Sequence, residues 1–316
     1  MNGLRVLLLG ATGTIGRATA AELVGREVEL VCLVRDGASV DGLPAGATIR
    51  IGEPASLDLT GEVFDAVISC LASRTGVPRD AWAVDHDANL AALAAAKAAG
   101  VPHVILLSAI CVQKPRLAFQ QAKLAFEAAL QASGLRWTIV RPTAFFKSLS
   151  GQIDRVRRGQ PFLVFGDGEL TACKPISDAD LARYIADCLT DESRWNRILP
   201  IGGPGPAITP REQAGMLAGL IGRPVRLKRV PVALLDVIIA VLSTLGRLIP
   251  PLAAKAELAR IGRYYATESM LVLDPATGRY DADATPETGH DTLAGHYARL
   301  LAGDARDDRG DHAVFR

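Results

Sequence analysis

Three glycines at intervals of three, in Gly10-Ala-Thr-Gly13-Thr-Ile-Gly16, follow directly on an apolar run from Leu4 to Leu9. They precede a stretch from Thr14 to Val24 in which small and apolar residues alternate. That order is strand, tight turn, helix. Where the turn carries no side chains, backbone N–H groups and the positive end of the helix can receive a pyrophosphate. Gly10, Thr12, Gly13, Thr14, Ile15 and Gly16 are therefore the expected phosphate cradle of a dinucleotide. A second apolar run, Glu29 to Val34, ends in Arg35, where an unmodified ribose would ask for a carboxylate. A guanidinium suits a 2′-phosphate, so NADPH is the expected cofactor. Asp36, next in the chain, keeps NAD as the alternative.

Ser108 ends the run Val104 to Leu107, and Lys123 follows in Phe119-Gln-Gln-Ala-Lys123. The pair resembles the short-chain dehydrogenase arrangement of Ser, Tyr and a Lys four residues after the Tyr. Ser108 and Lys123 are accordingly the expected catalytic residues, and both are expected near the nicotinamide ribose. The tyrosine position holds Phe119, which has no proton to give, so carbonyl reduction through a Tyr–Lys pair is disfavoured. A solvent-facing lysine and an ordinary strand-end serine are the alternative readings. Arg141-Pro142-Thr143 closes the apolar run at residues 138–140, and Pro142 and Thr143 are expected to bracket the nicotinamide amide.

The elements that must position these residues alternate. Apolar runs at residues 4–9, 28–34, 66–71, 104–107 and 138–140 are separated by helix-like stretches such as 81–99 and 119–132. Such alternation predicts an α/β fold, a Rossmann-type doubly wound parallel sheet with a smaller C-terminal α+β substrate lobe. The expected division is residues 1–143 for the NADP-binding domain, with crossover segments from later residues, and 144–302 mainly for the lobe. A helix is expected from Thr209 as N-cap and Pro210 at its first position. Residues 303–316, polar and charged, read as a disordered tail.

Composition excludes several classes of function. Lys and Arg number 35 against 34 Asp and Glu, which leaves no field to gather nucleic acid. Five cysteines lie far apart without a CxxC pair, so neither a disulfide framework nor a zinc site is expected. Five scattered histidines show no metal spacing, and no metal is predicted. The absence of a GxSxG elbow removes the usual serine hydrolase. The short first apolar run suggests a cytoplasmic protein without a cleaved targeting peptide. Val230 to Leu252 is the most lipophilic stretch, but Asp236 and Arg247 interrupt it, and a spanning helix needs about 20 apolar residues. A buried helix of the second lobe is the foremost reading. A helix resting peripherally on a membrane, or lining a lipophilic pocket, is the alternative.

Longer strings narrow the function. Leu107-Ser-Ala-Ile-Cys-Val-Gln-Lys-Pro115, Arg141-Pro-Thr-Ala-Phe-Phe-Lys-Ser148, Phe165-Gly-Asp-Gly168, Cys173-Lys-Pro-Ile-Ser177, Leu199-Pro-Ile-Gly-Gly-Pro-Gly205 and Ile261-Gly-Arg-Tyr-Tyr-Ala-Thr-Glu-Ser-Met-Leu271 resemble the NADPH-dependent divinyl chlorophyllide 8-vinyl reductases. These are atypical short-chain dehydrogenases, and the likeness spans about residues 4 to 302. It implies reduction of the 8-vinyl group of a divinyl chlorophyllide or protochlorophyllide to ethyl, in chlorophyll or bacteriochlorophyll synthesis. For the final proton, Lys123, a water, and Tyr264 or Tyr265 are the candidates in that order. Phe145, Phe146 and the stretch Val230 to Leu252 could wall a flat tetrapyrrole, with core packing as the equal alternative. Spacing does not say whether His290 or His296 approaches the substrate magnesium. A reductase of another conjugated alkene or phenylpropanoid, and a non-catalytic NADP sensor, are the competing functions. Oligomeric state is not legible.

Overall fold

Continuous apolar runs can be strands only where both sheet faces are covered, and the computed structural model, which describes residues 3–303, places them so. In chain order the first elements are β1 (Arg5–Leu9), α1 (Thr14–Gly25), β2 (Glu29–Val34), β3 (Thr48–Ile51) and β4 (Ala66–Ser69). A short helix α2 (Pro78–Ala81) runs through a π-helical turn, Trp82–Ala88, into α3 (Asn89–Ala98). Then come β5 (His103–Leu107), α4 (Ala118–Gln131) and β6 (Arg136–Pro142). They are followed by α5 (Phe146–Leu149), α6 (Ile153–Arg157), β7 (Phe162–Phe165), α7 (Asp178–Asp187) and β8 (Arg197–Ile201). The remainder is α8 (Pro210–Ile221), β9 (Leu227–Val230), α9 (Val232–Leu245), α10 (Pro250–Thr267), β10 (Val272–Leu273), β11 (Tyr280–Asp281) and α11 (Leu293–Ala302).

Seven strands form one parallel sheet in the order β3-β2-β1-β4-β5-β6-β8. From β1 the chain winds outward to β3, then returns to the far side of β1 and winds the other way. Right-handed crossovers in opposite directions put α1 on one face and α3 and α4 on the other. Leu7, Leu9, Val67, Val104 and Ile139 pack with Leu93 and Ala96 of α3 and Phe126 and Leu130 of α4. The alternate strand residues Val6, Leu8, Ile68 and Ile105 are equally buried.

The chain divides into two compact units. The first comprises Met1–Ser73, Pro78–Pro142 and Asp178–Ile201. The second contains Arg74–Val77, Thr143–Ser177 and the chain from Gly202 onward. Helix α7 and strand β8, which the linear division at 143 assigns to the lobe, belong to the sheet unit. The physical reason is register: β8 pairs in parallel with β6, Val140 against Leu199, and so extends the sheet by its last strand. In the second unit Phe146, Ile153, Val156, Phe162, Leu217 and Tyr297 form a core. Thr209 and Glu212 cap α8 reciprocally, with Pro210 at the first helical position, as the sequence predicts.

The stretch Val230 to Leu252 corrects the foremost expectation. It runs from the last residue of β9 through α9 into the start of α10, and none of the residues in α9 is buried. The predicted tail, apart from Gly303, lies outside the described residues.

Candidate active site

The glycine turn shows on its own geometry why side chains are excluded. Gly10 adopts φ +74°, and a Cβ there would stand 2.6 Å from the carbonyl oxygen of Cys70. On Gly16 a Cβ would come within 2.0 Å of the carbonyl oxygen of Gly10. The Gly13 amide donates to that same carbonyl at 3.1 Å, which closes the turn. Gly13 is the N-cap of α1 and brings no side-chain oxygen to the helix start. Thr12 and Thr14 are half-buried and Gly13 is exposed, whereas Ile15 points into the core. An anion can therefore approach the backbone at the amino end of α1, at the junction of β1 and β4 where the strand order reverses.

Arg35 stands exposed one residue beyond β2. Sequence reasoning missed a second arginine, Arg17, on the first turns of α1. The Arg17 Nε is buried and finds no hydrogen-bond partner among the described residues. Its side chain lies 3.7 Å from where a Cβ on Gly42 would be, along the loop that Arg35 begins. A buried guanidinium nitrogen without an acceptor is a group prepared for an anion. Cradle and cations together fit a phosphorylated dinucleotide.

Helix α4 brings three residues into one stripe at spacings of four: Phe119, Lys123 and Glu127. Phe119 is half-buried. Lys123 is buried, with its Nζ 2.9 Å from Oδ1 of Asp85. Asp85 is fully enclosed and also accepts from the Ser73 amide at 3.4 Å. The wide π-helical turn around it leaves carbonyls whose helical bonds are displaced, and Asn89 answers them. Its side-chain amide donates to the carbonyls of Val84 and Asp85 at 3.1 and 3.2 Å, while Ser69 donates to its Oδ1 at 2.5 Å. Burial pushes the Cys70 thiol up to about 12, and the Lys123 charge acts against that rise. The lysine cation thus sits near the end of β4, where Cys70 abuts the Gly10 turn.

Ser108 lies elsewhere in the same unit. Its hydroxyl donates to Glu127 Oε1 at 2.5 Å, and its amide donates to Val140. Glu127 in turn forms a buried ion pair with Arg141. Lys123 and Ser108 are therefore each engaged with a buried carboxylate, and the two carboxylates differ. Pro142 ends β6, and the Thr143 hydroxyl donates to the Lys174 carbonyl.

Asp85 and Glu127, like Arg17, are residues that sequence reasoning did not find. Glu127 carried a signal, its distance of four from Lys123. Asp85 carried a weaker one in its spacing to Asn89. Within the second unit, Phe146 is core and Tyr264 is buried, while Tyr265 is exposed. His296 is engaged internally, 3.1 Å from the Ser150 hydroxyl and against the Phe146 ring, and burial lowers its pKa. Among the described residues no helix is long and apolar enough to cross a membrane.

Comparison with known proteins agrees with this geometry. Residues 10–192 match a family described as NAD(P)H-binding. A chloroplastic divinyl chlorophyllide a 8-vinyl-reductase of Cucumis sativus is 45% identical over 98% of this chain and 79% of its own length. The Zea mays protein of the same description is 47% identical over 98% of this chain and 82% of its own. Among solved structures, the leucoanthocyanidin reductase–NADPH complex from Vitis vinifera superposes with a TM-score of 0.68 at 17% identity, covering 94% of this chain and 99% of that one, which speaks for the fold. With the cradle, the two buried charge pairs and this identity along nearly the whole sequence, the chain belongs to the NAD(P)H-binding proteins and, among them, to the divinyl chlorophyllide a 8-vinyl-reductase family.

Proposed function

We propose that the chain reduces the 8-vinyl group of divinyl chlorophyllide to ethyl, with NADPH as donor and with Lys123, fixed by Asp85, as its principal catalytic group. The observation that carries this reading is the buried Lys123–Asp85 pair, whose lysine stands on a helix where the tyrosine position is Phe119. Bound NADPH supplies the hydride. Everything else falls to the protein.

Gly10, Thr12, Gly13, Thr14, Ile15 and Gly16 hold the pyrophosphate through backbone at the start of α1. Arg35 and Arg17 take the 2′-phosphate, which an NADH site would leave without a partner. Lys123 faces the nicotinamide ribose and presents a positive charge where negative charge develops in the substrate. Its carboxylate partner fixes one rotamer of a flexible side chain, so orientation is settled before substrate arrives. Ser108 acts at one remove. Together with Glu127 and Arg141 it locks α4 to the ends of β5 and β6, and Pro142 and Thr143 continue that edge toward the nicotinamide amide.

The missing phenol is consistent with the chemistry. A vinyl group conjugated to a macrocycle accepts hydride at its terminal carbon while the ring spreads the charge, so no alkoxide has to be protonated. One proton then completes the ethyl group, and Lys123 is the nearest donor this reading offers.

Anaerobic incubation of the purified chain with divinyl chlorophyllide and NADPH, followed by chromatography and mass analysis, should give a pigment richer by two hydrogens at the 8-position. NADH should serve poorly. In Arg35→Ser the preference for NADPH should fall roughly tenfold to a hundredfold, the worth of a charge-assisted contact. Absence of product from protein that binds NADPH would overturn the substrate assignment, and an unchanged cofactor preference would remove Arg35 from the site.

A further inference from the structure

The α9–α10 hairpin inverts the usual arrangement of a surface helix. Asp236 and Ser243, seven residues apart on one face of α9, turn toward α10, where Asp236 forms an ion pair with Arg263 and Ser243 accepts from Arg260 Nη2 at 2.6 Å. The opposite face carries Leu234, Val237, Ile238, Val241 and Leu245 at spacings of three and four, continued by Leu248 just past the helix end. These side chains are open to solvent: Val237 is 60% exposed and Leu248 is 85% exposed. A contiguous aliphatic stripe of this kind on a water-soluble surface marks a binding face.

The surrounding charge says what it binds. From Arg226 to Lys255 the chain holds five cations, Arg226, Lys228, Arg229, Arg247 and Lys255, all exposed. The only carboxylate in that span is Asp236, which is already paired. The cations flank the apolar stripe at both ends and interrupt it nowhere. Helix α9 has 14 residues and is thus about 21 Å long, short of the roughly 30 Å hydrocarbon thickness of a bilayer. It can lie in an interface but cannot span it.

We infer that the outer face of α9 is a docking site for an anionic lipid bilayer. The helix lies parallel to the surface, its aliphatic stripe enters the acyl boundary, and the flanking arginines and lysines meet lipid phosphates. This goes beyond the reductase reading and does not depend on it.

The test is flotation of the full-length chain with vesicles of phosphatidylcholine alone and of phosphatidylcholine mixed with phosphatidylglycerol. Binding should favour the mixed vesicles and weaken as salt is raised. The doubly substituted Val237→Asp, Val241→Asp chain should partition roughly tenfold or more weakly onto both. Arg229→Glu and Arg247→Glu should each lower binding roughly fivefold, and only on the mixed vesicles. All of these positions are exposed and lie outside the glycine cradle, so NADPH binding and the circular dichroism spectrum should stay as in the parent and would reveal a variant that fails to fold. A parent chain that does not float, or substituted chains that float equally well, would overturn the inference. Sedimentation velocity supplies the other arm. A dimer that Val237→Asp dissociates, in a chain that ignores vesicles, would assign the stripe to a second copy and overturn the bilayer.

Discussion

Helices α4 and α9 have the same length and oppose each other in what they hide. Helix α4 buries Gln120, Lys123 and Glu127 alongside Ala122, Phe126 and Leu130. Helix α9, which is almost wholly apolar, buries nothing and turns Asp236 and Ser243 toward its neighbour α10. Hydrophobicity alone would sort the two the other way round. The difference teaches that each helix departs from the burial rule where something outside the fold has to be met: a charged cofactor and a reacting substrate at α4, a lipophilic surface at α9. Polar groups inside α4 persist because each has a partner. The aliphatic face of α9 persists because folding does not depend on covering it.

The largest test of that contrast is Glu127→Ala. It removes the acceptor of the Ser108 hydroxyl and leaves the Arg141 guanidinium, mostly enclosed, without its carboxylate. Breaking a buried pair from one side costs about 3–5 kcal/mol, because the remaining charge is stranded. The urea midpoint of the variant, followed by circular dichroism, should fall accordingly. A midpoint close to that of the parent would mean that the Glu127 cluster is not what locks α4 in place.

Next comes Lys123→Ala. If the ammonium stabilises charge in the transition state, turnover should drop by roughly a hundredfold to a thousandfold. NADPH affinity, carried mainly by the backbone cradle and the 2′-phosphate cations, should change by far less. Asp85→Asn sharpens the point, since it keeps the volume and removes the charge that orients Lys123. As a positioning residue, Asp85 should lower kcat with little change in KM or NADPH binding. Equal losses in cofactor binding and turnover would reduce the pair to a structural one, and unchanged turnover in Lys123→Ala would take it out of the mechanism.

How much of this was legible in the sequence follows from the same contrast. Strands β1, β2, β4, β5 and β6 announce themselves as apolar runs because both of their faces are covered. The two edges of the sheet do not. Strand β3, Thr-Ile-Arg-Ile, lies mostly exposed, and β8, Arg-Ile-Leu-Pro-Ile, carries a proline and a charge, the composition that keeps an edge from pairing further. The glycine turn was legible because Gly10 and Gly16 meet backbone that no side chain could clear. Lys123 was legible from spacing, but its partner was not: a carboxylate amid Trp82-Ala-Val-Asp85-His-Asp87 looks like solvated surface until the π-helical turn carries it inward. For α9 the residues gave the lipophilicity, and only the packing of α10 decides which face remains open.

The smallest expected effect completes the comparison from the other side. Leu234→Gln and Leu245→Gln place polar groups on the open face of α9, where the leucines are about half exposed. A core leucine exchanged in this way would cost several kcal/mol, since a large side chain is lost and a polar group is buried. On an uncovered helix face, exchanges stay within about 0.5 kcal/mol. Urea midpoints of the two variants should therefore match the parent in dilute solution without lipid, while vesicle binding declines. A loss of more than about 2 kcal/mol would mean that the stripe is covered when the chain is free in water, and α9 would then belong with α4, as an element whose composition serves packing.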